Sequence, residues 1–492
     1  MKAAVFVEPG KMEVREVARP QLEKETDAII RIVRACVCGS DLWWFRGISK
    51  REPNTLAGHE AIGVVEEVGS AVTDIKAGDF VVAPFTHGCG HCAACRAGFD
   101  GNCLNMEGGG NAGYQGEYLR FTNANWALVK IPGQPEDYSD DMLNSLLTLA
   151  DVMATGYHAA KTAEVKAGDI VVVMGDGAVG LCGVIAAKLL GAKRIIAMSR
   201  HADRQALARE FGATDIVAER GDEAVEKVLQ LTDGVGADAV LECVGTEQSV
   251  DTATKIARPG SVVGRVGVPQ KAEMNTNNLF WKNIGLRGGI ASVTTYDKEV
   301  LLDAVLKGRI EPGKVFTKRF TLDTIQEAYE AMDKREAIKS LVIIMSRHED
   351  RQKLALEFGA TDIVAERGEE GIAKVKELTN GAGCDAILEC VGTHLSTETA
   401  IGLSRPGAVV GRVGVPHTGD INIGDYWMVN LAMAGGPASC TTYDKEILLK
   451  AVLDGQINSG KVFTQSYKLE DIDQAYKDMA DRKTIKAMIV MD

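Results

Sequence analysis

The run Ile170–Met174, followed directly by Gly175-Asp176-Gly177-Ala178-Val179-Gly180, confines this chain to few folds. Five consecutive apolar residues suit a strand buried on both faces, as in a parallel sheet. The glycines permit a tight turn, and Leu181–Leu190 continues as an apolar helical run, so the order is strand, turn, helix. In that setting a pyrophosphate can approach the helix N-terminus, where unpaired N–H groups and the helix dipole favour an anion. Gly175, Gly177, Ala178, Val179 and Gly180 are therefore the expected phosphate cradle of a dinucleotide. The same glycines, with Asp176, disqualify 170–190 as a membrane span, and no membrane partner is expected.

A second strand, Arg194–Met198, ends in Ser199-Arg200-His201. An acidic residue there would bind a ribose 2′-hydroxyl. A hydroxyl and a guanidinium suit a 2′-phosphate instead, so NADP is favoured over NAD, with Asp203 close by as a counterweight. Further strands are expected at Asp215–Ala218, Ala237–Val244, Ser261–Val268 and Leu286–Ala291. They complete a doubly wound Rossmann domain over residues 155–299. Lys314–Ile344 should then carry a strand, a helix from about Asp323 and a last strand, Ser340–Ile344.

Residues 1–154 read differently. Short strand-like runs such as Ala28–Val33, Ala61–Val68 and Asp79–Ala83 are separated by Gly, Pro and Asp turns, as in a β-rich domain. Within it, Cys38-Gly39-Ser40-Asp41 and Gly58-His59-Glu60 bring together a thiol, a hydroxyl, carboxylates and an imidazole. Cys38 and His59 can bind zinc together, Ser40 can pass a proton, and Asp41 can orient the imidazole. Taken alone, such a pair is as well read as ordinary structural residues. Cys89, Cys92, Cys95 and Cys103 say more: four thiolates at this spacing wrap one tetrahedral zinc and leave no position open for substrate. Disulfides are disfavoured by the two-residue gaps, and Met1–Pro9 does not read as a secretory leader, so the expectation is a cytoplasmic protein with a structural zinc. His87 and His91 are expected to be loop residues. Lys and Arg total 55 against 68 Asp and Glu, a formal charge of −13 without long single-sign blocks, which argues against a nucleic-acid partner and for a small-molecule substrate.

With these motifs in this order, residues 1–345 resemble the zinc-containing medium-chain alcohol dehydrogenases. The resemblance implies a GroES-like catalytic domain, to which the chain returns at about 300–345, and a homodimer or homotetramer unless the tail interferes. It implies hydride transfer between a small alcohol, or an aldehyde or ketone in reverse, and a nicotinamide cofactor. It also supplies a third ligand for a catalytic zinc: Asp151 matches the position that is aspartate in secondary-alcohol dehydrogenases. Glu60 would be an exchanging ligand, and His158 would be packed rather than coordinating. One departure bears on the proton path. Many relatives place a histidine three residues after the serine, where this chain has Trp43, followed by Trp44 and Phe45. The relay would then end at Ser40 and the cofactor ribose, and the three aromatics either line an apolar substrate pocket or pack as core.

The larger departure is a repeat. Met198–Met345 recurs without a gap as Met345–Asp492, an offset of 147: Phe211-Gly212-Ala213-Thr214-Asp215 returns as Phe358-Gly359-Ala360-Thr361-Asp362. Residues 346–492 thus form a partial Rossmann repeat that lacks the Gly-rich turn, the first strand and every zinc ligand, so it should not catalyse. Two readings are open. The tail packs passively, or it competes, replacing 198–345 or mimicking a partner subunit at the edge strand near Leu286–Ser292. The rival to an active dehydrogenase is a non-catalytic or tail-inhibited protein that keeps the fold for binding.

Overall fold

The computed structural model describes residues 1–106, 113–269, 273–291, 295–318, 325–335 and 344–345, and within the repeat 362–364, 366, 368–391, 393–412, 420–435, 463–468, 474, 478 and 486–490. It divides into two bodies, Met1–Ser340 with Ala382–Gly436, and Leu341–Gly381 with Pro437–Asp492.

The first body opens with a small sheet of β1 (Lys2–Glu8), β2 (Lys11–Glu16) and β4 (Thr55–Leu56). Beside it β3 (Ala28–Ala35), β5 (Ala61–Val68), β6 (Phe80–Ala83), β7 (Tyr118–Phe121) and β8 (Val129–Ile131) form an antiparallel sheet in the order β7-β3-β5-β6-β8. Both faces of β6 are buried, and the period of two divides them: Val81 enters one core with Ile30 and Phe121, while Phe80 and Val82 enter another with Ala178 and Leu181. Helix α1 (Asp41–Phe45) sends Trp44 and Phe45 inward. Both rings pack on Tyr329 of the later helix α5 (Ile325–Asp333), with centroids 5.3 and 5.1 Å apart, so the chain returns to this sheet after the nucleotide strands. Trp44 and Phe45 are therefore core residues, and only Trp43 borders a cleft.

Strands β9 (Ile170–Met174), β10 (Arg194–Met198), β11 (Asp215–Val217), β12 (Ala237–Glu242), β13 (Ala257–Arg265) and β15 (Gly285–Gly288) run parallel in the order β11-β10-β9-β12-β13-β15. The order reverses direction between β9 and β12, the switch point at which such sheets bind ligands. Helix α2 (Val152–Thr162) and helix α3 (Ala178–Leu189) pack against the sheet, and α4 (Ala202–Phe211) follows β10. Helix α3 starts at Ala178 rather than Leu181 because Gly177 caps it. The sheet strand expected to reach Ala291 stops at Gly288, where two successive glycines, Gly288 and Gly289, take positive φ. No helix among the described residues is long and apolar enough to cross a membrane.

The repeat does not form one body. Its β18 (Cys384–Glu389), β19 (Ser404–Arg412) and β21 (Ala432–Gly435) sit at the 147-residue offset from β12, β13 and β15, and they extend the first sheet as β15-β21-β19-β18. In the second body β16 (Ile344–Met345) pairs with β17 (Ile363–Val364), the counterparts of β10 and β11, and β22 (Phe463–Lys468) pairs with β23 (Lys486–Val490). The physical reason is the missing first strand: β9 joins β10 to β12 in the first copy, and without a counterpart the two flanks have nothing between them. The expectation that Ser340–Ile344 is the last strand of the first copy is corrected at Ile344, which pairs with Ile363 instead; residues 336–343 lie outside the described residues. The repeat also lacks a counterpart of α3, the helix that packs on Leu241 of β12, and the equivalent Leu388 of β18 is 71% exposed.

The turn after β9 is tight. A Cβ on Gly180 would lie 2.0 Å from the Gly175 carbonyl oxygen, and Gly175 has φ +113°. Gly180→Ala should therefore cost about 1–3 kcal/mol by overpacking, read as a lower urea midpoint of the full chain, whereas Gly308→Ala, at an open turn position, should cost less.

Candidate metal centres and cofactor cleft

Four residues from three separated segments meet at one point. Cys38 lies just before α1, His59 and Glu60 precede β5, and Asp151 is the residue before α2. One donor atom of each lies within 4.8 Å of every other. Cys38 Sγ is 3.4 Å from Asp151 Oδ2, and His59 Nε2 is 3.6 Å from Asp151 Oδ2 and 3.9 Å from Glu60 Oε1. Ligands bound tetrahedrally to zinc at 2.0–2.3 Å are separated by about 3.3–3.8 Å, so this donor set fits the ion. Its chemistry fits too. Burial and then the Asp151 carboxylate push the Cys38 thiol up to about 11. Burial opposes a charge on His59, but Asp41 and the neighbouring donors outweigh it and raise its pKa well above the ordinary value. Burial likewise opposes ionisation of Asp151, yet its bond to His59 holds its pKa below the usual range. A buried carboxylate beside a thiol whose ionisation burial opposes forms a site where a bound cation would favour the thiolate.

The supports are local. Asp41 Oδ1 lies 3.3 Å from His59 Nδ1, and its Oδ2 accepts from the Cys38 backbone N–H at 3.2 Å. Thr155, one helical turn beyond Asp151, donates to Asp151 Oδ1 at 2.6 Å and leaves Oδ2 toward the cluster. Thr155 escaped the sequence reading, although its i,i+4 spacing on α2 is the signal that finds it. Ser40 borders the cleft and is exposed. His158 is buried and bonded through Nε2 to Asn430 Oδ1 at 2.9 Å, away from the cluster.

Cys89, Cys92, Cys95 and Cys103 form the second cluster, again within 4.8 Å of one another. All four are free thiols, and Cys92 Sγ and Cys103 Sγ stand 3.9 Å apart, a spacing for a shared ion and far beyond a sulfur–sulfur bond. Backbone N–H groups of Cys89 and Cys95 donate to Cys103 Sγ and Cys92 Sγ at 3.3 and 3.5 Å. His87 stays out of the cluster: it is buried, with Nε2 2.7 Å from the Tyr114 hydroxyl, and burial lowers its pKa to about 3. His91 is exposed.

A cavity of about 790 Å³ carries Cys38, Ser40, Trp43, His59 and Asp151 on one side and Gly177, Ala178 and Val179 on another. A second, of about 500 Å³, shares Gly39, Gly177, Cys243 and Val244 with it and extends past Gly175 to Arg200, His201, Arg204 and Arg335. A Cβ on Gly177 would meet nothing within 4 Å, so the N-terminus of α3 faces open space, as a phosphate cradle requires. Asp176 is the nearest acid to the end of β10. It is engaged by Ser199 Oγ and the Arg200 N–H, both at 3.1 Å, and by Arg204 at 3.3 Å; burial opposes its ionisation, but these partners lower its pKa. The sequence reading missed Asp176 and Arg204, which lie one residue and one helical turn from positions it had singled out.

A family profile described as "Zinc-binding dehydrogenase" matches residues 178–306 and 335–448, and one described as "Alcohol dehydrogenase GroES-like domain" matches residues 24–133. An alcohol dehydrogenase of Cupriavidus necator is 30% identical over 363 residues, which cover 70% of this chain and 98% of that relative. An NADP-dependent isopropanol dehydrogenase of Clostridium beijerinckii is 32% identical over 332 residues, covering 65% of this chain and 93% of the relative. Among solved structures, the alcohol dehydrogenase of Thermus sp. ATN1 is similar with a TM-score of 0.63 and 31% identity, covering 69% of this chain and 98% of that one.

Metal uptake at the Cys38 cluster should release protons, because the Cys38 thiol and the His59 imidazole both have raised pKa values without a metal. Zinc affinity there should therefore rise steeply between pH 6 and 8, as measured by isothermal titration in buffers of different ionisation enthalpy. Affinity independent of pH would contradict this account of the donors.

Proposed function

This chain belongs to the zinc-type alcohol dehydrogenases, and from that membership we propose that it transfers hydride between a small, largely apolar alcohol, or its ketone or aldehyde, and NADP. The observation that carries the reading is the convergence of Cys38, His59 and Asp151 on the same cleft as the N-terminus of α3. Cys38, His59 and Asp151 would hold the catalytic zinc, with Glu60 in reach as an exchanging ligand, and Cys89, Cys92, Cys95 and Cys103 the structural one. When bound, zinc supplies Lewis acidity that favours loss of the substrate's hydroxyl proton, and the nicotinamide supplies the hydride acceptor.

The remaining work falls to the chain. Ser40, exposed on the cleft wall, takes the hydroxyl proton and passes it toward the cofactor ribose and solvent. Asp41 keeps Nδ1 of His59 engaged so that Nε2 faces the site, and Thr155 does the same for Asp151. Trp43, Phe85, Val266 and Ile290 give the cleft apolar walls that admit a hydrocarbon body and exclude water.

NADP is supported by the set Arg200, His201, Arg204 and Arg335 around the second cavity, by Ser199 at the end of β10, and by the engagement of Asp176, though Glu219 shares the rim. The named cofactor of the isopropanol dehydrogenase relative points the same way. Free thiols in two clusters suit a reducing compartment, the cytoplasm. A tail-inhibited protein is disfavoured because a cleft of about 790 Å³ stands open beside the described residues of the repeat.

On a panel of short-chain alcohols the full chain should turn over with NADP preferred at least about tenfold over NAD in kcat/KM. Arg200→Ala should erase most of that preference by raising KM for NADP alone, a loss of about 1–2 kcal/mol. Ser40→Ala should lower kcat about a hundredfold while zinc content stays near two per chain. Folded, zinc-loaded chain that binds NADP and turns over no alcohol would favour the non-catalytic reading.

A further inference from the structure

The pairing between the two copies has a symmetry that the repeat alone does not require. In the β15–β21 contact Leu286 faces Met433, and in the antiparallel ribbon of β14 (Glu273–Asn275) with β20 (Asp420–Asn422) Met274 faces Ile421. Each pair consists of one residue and its own counterpart 147 positions later. That is the signature of an isologous two-fold interface, in which a surface meets a second example of itself, here folded into one chain. The contact is close. A Cβ on Gly289 would lie 2.0 Å from the Trp427 carbonyl oxygen, so the approach of α6 (Ile423–Met428) depends on that glycine. Asn102, beside Cys103, donates to the Met428 carbonyl at 2.6 Å, and Asn430 meets His158 of α2.

The same helix reaches the cleft. Trp427 lines the cavity that holds Cys38, Ser40, His59 and Asp151. Its counterpart in the first copy is Phe280, a buried ring without a polar atom. The indole Nε1 of Trp427 is buried and has no hydrogen-bond partner among the described residues. Because that nitrogen is closed off from the cleft, Trp427 meets a ligand there with its ring and not with a hydrogen bond.

We infer that residues 382–436 are a built-in partner, seated on the sheet edge that a second copy would otherwise pair with, and that they supply Trp427 as a specificity-determining wall of the substrate cleft. The substrate class this selects is an alcohol or ketone whose apolar body, away from the reacting carbon, packs on the indole ring. The substrate part rests on the dehydrogenase reading proposed above; the seating does not.

Two measurements on the full chain test it. Hydrogen exchange should find amides of 273–275 protected, because β14 pairs only with β20 among the described residues, and the protection should be unchanged on hundredfold dilution. Absent protection, or protection lost on dilution as for an intermolecular pair, would overturn the seating. For Trp427, 2-heptanol and 2-propanol differ only in the length of the apolar body that the ring would cover. Trp427→Ala should lower the ratio of their kcat/KM values, 2-heptanol over 2-propanol, about tenfold through lost apolar contact, and the ratio is internal to each preparation, so partial inactivation cancels. An unchanged ratio would overturn the wall role. Wild-type chain that oxidises neither alcohol would instead refute the dehydrogenase reading, and the exchange measurement would still decide the seating.

Discussion

The lateral pairing of β9 is the interaction on which both copies of the nucleotide fold depend, one by having it and the other by lacking it. In the first copy Val171 is paired on one side with Ile195 and on the other with Ala239, so a single strand joins two flanks of the sheet and carries the turn to α3 at its end. Burial on both faces makes its residues apolar, and the hydrogen bonds of its backbone are satisfied only if both neighbours are present. The repeat starts beyond this strand. Its flanks are left as two separate strand sets, one adding to the first copy's sheet and one standing in the second body. An open edge with unpaired N–H and C=O groups is a demand for a partner, and β15 and β21 meet that demand for each other.

The metal cluster depends on the same framework at one remove. Asp151 sits where α2 begins, and α2 packs against α3, whose position β9 sets; Cys38 and His59 come from the β-rich sheet. The core that Phe80 and Val82 share with Ala178 and Leu181 therefore does more than bury area. It holds the donors from two folding layers at ligand spacing before any ion arrives. Burial and the Asp151 carboxylate keep the Cys38 thiol protonated until a metal displaces its proton, while Asp41 and the neighbouring donors raise the basicity of His59.

Much of this was legible in order along the chain. Strand β9, the glycine turn, β10, the four cysteines at 89–103 and the pair Cys38 and His59 are local patterns, because spacing of a few residues already fixes which atoms can meet. Asp151 was reachable only through likeness to a family, since nothing within its own segment marks it as a ligand. Trp44 and Phe45 show the opposite limit: three aromatics in a row carry no label for which one faces the cleft, and the partner that decided it, Tyr329, is nearly three hundred residues away.

By itself, then, the sequence determined the element types, the two ligand sets as candidates, and the fact that 346–492 repeats an incomplete domain, since each follows from local spacing or from direct recurrence. Only the tertiary structure decided where the incomplete copy goes. Residues with the same pattern can pair with their own copy, with the other copy, or not at all, and that choice is made by which edge is open and how closely two backbones can approach. Here Gly289 allows α6 to come near, β15 is the open edge, and Trp427 arrives at the cleft as a consequence.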